Sequence, residues 1–177
     1  VDYIIERMNF YGHDGEKIRA LGFCATVKHA KYMAEEFNKR LSKNNGQVAV
    51  ALSGDDSVEV REKYAHLLED DNSPLQYIFS VDIFNEGIDI PSVNTVLLLR
   101  PTDSSIIFIQ QLGRGLRKLD GKEFVTVLDF IGNYKKSFLM AIALNGKQDY
   151  DRDSLKLEVA NDFADLPNGT YIHMDKI

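Results

Sequence analysis

A single cysteine, Cys24, stands in 177 residues, which excludes an internal disulfide framework and any zinc site built on paired thiolates. The four histidines, His13, His29, His66 and His173, are scattered without ligand spacing, and no metal site is expected in the chain. No run approaches the ~18–20 uninterrupted apolar residues that a membrane span needs; residues 95–99 and 106–109 are core-sized. No secretory leader opens the chain, so it is expected to be cytoplasmic, with no membrane partner. Basic residues are outnumbered: 21 Lys and Arg against 27 Asp and Glu leave a net charge of -6. That argues against a domain that coats DNA by bulk charge and leaves room only for a local basic lane. Also missing are a G-x-x-x-x-G-K-[ST] phosphate loop and an Asp-Glu pair closing an apolar strand to hold magnesium. Glu69-Asp70-Asp71 closes a helix instead and reads as a solvated acidic end.

What is present is an ordinary globular composition, 44% apolar and 27% charged, able to bury a core. The length suits one domain, or one plus a fragment. The first residue, Val1, already lies in an amphipathic segment, and the chain is read as a piece of something larger. Short apolar runs at 21–27, 48–52, 75–81, 93–99 and 124–130 read as strands. Helical spacing is expected over 28–41 (Ala30, Met33, Ala34, Phe37, Leu41), 58–68 (Val60, Tyr64, Leu67, Leu68), from 102 or 103 to about 118, and 133–145. Unbroken apolar runs mark strands buried on both faces. The fold class is therefore α/β: a parallel sheet of about five or more strands flanked by helices on both faces. Residues 1–17 are expected to be a lead-in helix or linker from a preceding domain and 18–146 the main domain. Residues 147–177 are expected to be a linker and the start of a truncated further domain. Asn168-Gly169-Thr170 matches a glycosylation triplet by chance, since nothing suggests secretion.

In such a sheet, ligands bind at the carboxyl ends of the strands, and two loops there are informative. In 80–91 a strand end is expected to turn through a single helical turn, with Asp82 placed to cap it and Gly87 to end it. Asp89 is then held on a stiff stretch closed by Pro91, where its carboxylate can accept bonds from sugar hydroxyls; a capped loop with Asp89 solvated fits equally well. In 104–118, Gln110, Arg114 and Arg117 fall on one helical face, with Ile109, Leu112 and Leu116 beside them to anchor it. Gly113 and Gly115 each disfavour a helix by ~1 kcal/mol relative to alanine, which points to close backbone approach. Two guanidinium groups beside a glutamine suit phosphate oxygens; a solvated basic helix end is the alternative. Cys24 reads as a small buried hydrophobe, His29 as a solvated helix-start histidine, and Asp129 as a strand-end carboxylate of either capping or functional weight.

Together these segments resemble superfamily 2 helicases. Glu86-Gly87-Ile88-Asp89-Ile90-Pro91 is similar to their motif V and Gln110-x-x-Gly113-Arg114-x-x-Arg117 to motif VI. The 21–27 run leading into Lys28-His29-Ala30 is similar to motif IV, and Ser53-Gly54 with Arg61 resembles the loop and helix that follow it. The likeness covers about residues 18–145. It is closest to the branch of type III restriction subunits and excision-repair helicases, because Glu86 and Gln110 replace the basic residue and histidine usual in DEAD-box proteins. The resemblance implies the second RecA-like lobe of a motor. Arg114 and Arg117 would be catalytic arginine fingers at the ATP γ-phosphate. Gly87, Asp89, Gln110 and Gly113 would bind nucleotide, with Asp89 at the ribose. Thr26, Lys28, Gly54 and Ser80 would line the nucleic-acid backbone. Val81 stands where many relatives carry a threonine, with Ser80 one residue earlier, so either strand-end position is a candidate for the phosphate contact.

The expected partners are DNA, with RNA as the other candidate, and an N-terminal lobe of the same chain. The expected cofactor is ATP with Mg2+, the ion held mainly by that missing lobe, so this chain alone should not hydrolyse ATP. Two rival readings are a catalytically silent RecA-like interaction domain and a small-molecule doubly wound transferase. The intact Gln110, Arg114 and Arg117 face speaks against the first, and the lack of a nucleophile or acid–base pair against the second.

Overall fold

Five of the apolar runs do form strands, each shorter than its run. In the computed structural model, which describes residues 1–12, 17–43, 46–81, 90–101, 122 and 124–131, they are β1 (Ala20–Cys24), β2 (Ala49–Leu52), β3 (Tyr77–Ser80), β4 (Thr95–Leu99) and β5 (Thr126–Asp129). All pairs are parallel and the order is β2-β3-β1-β4-β5. Every residue of β1, β3 and β4 is buried, as unbroken apolar runs require, while β5, at one end of the order, is half-buried. The described residues all fall in the larger of two units into which the chain divides.

The helices follow from the crossovers. α2 (Val27–Leu41) carries the chain from β1 past β3 to β2, and α3 (Val58–Glu69) carries it back to β3. Right-handed connections running in opposite directions along a sheet place their helices on opposite faces. On the α2 face, Ala30, Met33, Ala34 and Phe37 pack on Ala20, Cys24, Ala49, Tyr77, Phe79, Leu97 and Leu99. α1 (Asp2–Phe10) joins the same face: Met8 is 2% exposed within this cluster, and Val1, Ile4 and Ile5 pack against it. Tyr3 meets Phe130 edge to face at 6.0 Å, and Thr126 Oγ1 donates to Tyr11 O at 3.2 Å, so α1 is fastened near both ends of β5.

Two expectations are corrected here. The first strand ends at Cys24, not Val27, because the Thr26 hydroxyl accepts from His29 N–H (3.1 Å) and caps α2. Likewise α3 is capped by Ser57, and its inward row is Arg61, Ala65 and Leu68. Val60, expected inside, is 37% exposed, and Tyr64 and Leu67 flank the row half-buried. A buried arginine is invisible to apolar periodicity, so the apolar residues alone place the stripe one position off.

Candidate functional site

The sheet register sets the strand ends in one row. Ser80 lies level with both Phe23 and Leu52, Cys24 with Leu99, and Leu98 with Asp129. The segments beginning at Ser53, Val81, Ala25, Arg100 and Phe130 therefore all leave the same edge, in that spatial order.

Thr26 and Lys28 are exposed at this edge, on the turn into α2. The cap holds the first turn of a 15-residue helix, where unpaired N–H groups and the helix dipole favour an anion. Gly54 is exposed in the next loop, and a Cβ added there would meet nothing within 4 Å. That loop is held from within: Asp56 Oδ2 accepts from Ser53 N (2.6 Å) and Ser53 Oγ (3.2 Å). The two loops thus present a capped helix start and a bare backbone tip on one edge, with the end of β3 between them.

Ser80 is placed differently. It is 0% exposed, enclosed between Phe23 and Leu52 on the α3 face, and its hydroxyl makes no hydrogen bond among the described residues. Val81, one residue on, belongs to the other face and packs against the α2-side core. Strand alternation thus sends the two candidate positions to opposite sides of the sheet, neither of them in the open.

At the far end of the row, Asp129 is exposed and accepts from Ile131 N–H at 2.9 Å. Partial loss of hydration raises its carboxyl above the usual carboxylate range, and the Ile131 bond works against that shift. Arg100 follows directly on β4. It is half-buried beside the end of β4, near enough to Cys24 to lower that thiol, although burial dominates and pushes it up to about 12. Cys24 is therefore a protonated core residue. Among the described residues no three His, Cys, Asp or Glu side chains come together.

Gly87, Asp89, Gln110, Gly113, Arg114 and Arg117 lie outside the described residues. Their anchors do not: residues 82–89 leave β3 after Val81 and return at Ile90, 1% exposed, while 102–121 leave β4 after Pro101 and return at Lys122.

A family model described as "Helicase conserved C-terminal domain" matches residues 2–118. Among individual proteins, the chain is 37% identical over 75 residues to the Saccharomyces cerevisiae protein IRC3, provisionally named an ATP-dependent helicase, covering 42% of this chain and 11% of that one. It is 31% identical over 104 residues to the ATP-dependent DNA helicase uvsW of Enterobacteria phage T4, covering 59% and 20%. The chain therefore spans between about a tenth and a fifth of the length of these curated relatives. Among solved structures, the C-terminal domain of the DEAD-box protein Dbp5 superposes with a TM-score of 0.60 at 19% identity, over 85% of this chain and 79% of that one. At that identity the likeness concerns the fold, which is RecA-like.

Proposed function

The chain belongs to the helicase conserved C-terminal domain family, and on that premise we propose that it is the C-terminal motor lobe of an ATP-dependent translocase acting on DNA. The observation that carries this reading is the row of strand ends: five parallel strands deliver Thr26, Lys28 and Gly54, together with the anchors of both arginine- and aspartate-bearing segments, to one edge of one sheet. DNA is preferred to RNA on the strength of the phage relative's name.

In this reading Thr26, Lys28 and Gly54 contact the strand backbone. The helix start and the bare glycine offer N–H groups to phosphate, and Lys28 offers charge. An acidic chain can do this because a few contacts on one edge suffice. Ser80 contributes from beneath, as packing under the loop. Asp89 accepts from the ribose, with Gly87 and Gly113 allowing close approach and Gln110 touching phosphate or water.

Arg114 and Arg117 reach across a cleft to the γ-phosphate bound by the N-terminal lobe. Phosphoryl transfer is mostly positioning and charge stabilisation, and an arginine delivered from a partner element contributes ~10³–10⁵ in rate. Closure then depends on the γ-phosphate; its loss releases the lobe and shifts the strand contacts. Magnesium is left to the N-terminal lobe, and the chain by itself turns over no ATP.

The test is ATP hydrolysis by the complete protein in which this chain occurs, with no nucleic acid, with single-stranded DNA and with RNA of the same sequence. Hydrolysis stimulated chiefly by DNA is expected. Hydrolysis indifferent to nucleic acid would return the chain to a silent interaction domain, and stimulation by RNA alone would overturn the DNA assignment.

A further inference from the structure

Of the exposed aromatic residues among those described, only Tyr32 of α2 has no partner for its ring. Tyr3 meets Phe130, Phe10 meets Tyr11, and Phe124 is also engaged. Tyr32 is 53% exposed and makes neither a ring contact nor a hydrogen bond among the described residues.

On a helix a side chain meets the residues three and four positions away. For Tyr32 these are Lys28 and His29 on the side of the strand edge, and Glu35 and Glu36 on the far side. Glu36 is already bound by Lys39 and Arg40. None of the four is apolar, so the ring stands alone rather than in an apolar patch. The cores of protein–protein interfaces are depleted in the lysine and glutamate that surround it. Lys28 and Lys31 are both exposed, and neither forms an ion pair among the described residues. They lie within the first five residues of α2, whose first turn holds no acid. A cation is disfavoured at the positive end of a helix dipole, and no carboxylate beside these two offsets that cost.

Helical side chains lean toward the start of the helix, so Tyr32 leans toward the turn that bears Lys28. The two residues are about 6 Å apart along the axis. A phosphate held by Lys28 thus leaves its own base, or the next one, within reach of the ring. We propose that Tyr32 is a stacking platform for an unpaired nucleobase of the strand whose backbone Lys28 contacts. This rests on the function proposed above, and it adds a distinction: at this edge the lobe holds single-stranded DNA by a base as well as by phosphate. Every base has a face to stack, so the contact is blind to sequence, whereas a duplex keeps its bases stacked on one another and offers phosphate alone.

The experiment measures binding of the complete protein, native, Tyr32→Ala and Tyr32→Phe, to three labelled DNAs of equal length by fluorescence anisotropy. One is a single strand, one a strand of abasic tetrahydrofuran residues, and one a blunt duplex. Loss of one base–aromatic stack is expected to weaken single-strand binding by Tyr32→Ala about five- to a hundredfold, at an unchanged melting temperature. Tyr32→Phe keeps the ring and should stay within about twofold of native. On the abasic strand and the duplex all three proteins should agree within about twofold. Single-strand binding by Tyr32→Ala within twofold of native overturns the inference. So does an equal loss on the abasic strand or the duplex, which would make the residue structural, or a loss in Tyr32→Phe as large as in Tyr32→Ala, which would assign the contact to the hydroxyl. A native protein that binds none of the three DNAs overturns the function proposed above and this inference with it. A silent Tyr32→Ala beside firm native binding overturns the ring's role alone.

Discussion

Gly22 and Phe79 stand opposite each other in the two central strands, and a Cβ added at Gly22 would lie 2.4 Å from the Phe79 ring. The bare backbone of one makes room for the ring of the other, which meets Phe37 of α2 edge to face at 4.9 Å. Gly22→Ala should therefore destabilise the domain by about 1–3 kcal/mol through overpacking. In a Phe79→Leu background the same change should cost less, because the clashing ring is gone. Urea unfolding of the four proteins reads this; equal losses in both backgrounds would remove the steric account.

Asn38 is a second fixed point that lies in a helix yet serves a strand. Its Oδ1 accepts from Val48 N (2.8 Å) and Ala49 N (3.0 Å), and its Nδ2 donates to Ala49 O (2.8 Å), so α2 receives the incoming β2. Asn38→Ala strands three backbone groups and is expected to cost about 2–3 kcal/mol. The adjacent exposed Lys39→Ala should stay within about 0.5 kcal/mol. Matched thermal melts decide between them.

Arg40 binds both Asp2 of α1 and Glu36 of its own helix. The guanidinium holds the Asp2 carboxyl below its usual range; at Glu36, Lys39 is the larger cause and Arg40 the next. A carboxylate lowered in the folded state stabilises above its unfolded pKa, and that contribution is lost as pH falls through the folded value. The wild-type protein should thus lose stability on acidification below the ordinary carboxylate range, and Arg40→Ala should lose less over the same window. Because Asp2 is exposed, 0.5 M salt should shrink the difference. Parallel acid limbs for the two proteins would contradict the assignment.

Lys28 is the exposed cation at the capped start of α2. If it meets a phosphate, Lys28→Ala should weaken DNA binding about equally for all sequences and reduce the slope of log affinity against log salt by about one. The melting temperature should not move. An unaltered salt slope would take Lys28 off the strand-binding edge.

The strands themselves could be anticipated in outline. Runs such as Thr95–Leu99 announce a doubly buried parallel strand in composition alone, and the α2 stripe of Ala30, Met33, Ala34 and Phe37 reads directly from its spacing. Position within the sheet was not legible, because it depends on non-local pairing. The sequence also treated Ser80 as a surface contact. Alternation along β3, fixed only once its register with Phe23 and Leu52 is known, encloses it instead. Arg61 escaped because hydrophobic patterning does not see a buried charged side chain. Asn38 escaped because a polar residue that bonds to a distant backbone carries no local signal. Thr26 and Gly54 as strand contacts rest on the resemblance, and the cap that Thr26 places on α2 appears only in the structure. The motif residues at 87–89 and 110–117 lie outside the described residues and rest on the resemblance.

The central claim is that this lobe completes another lobe's ATP site with Arg117. Single-turnover ATP hydrolysis by the complete protein with saturating DNA, native against Arg117→Ala, addresses it most directly. The account predicts a fall of about a thousandfold or more with DNA binding preserved; hydrolysis at the native rate would contradict it.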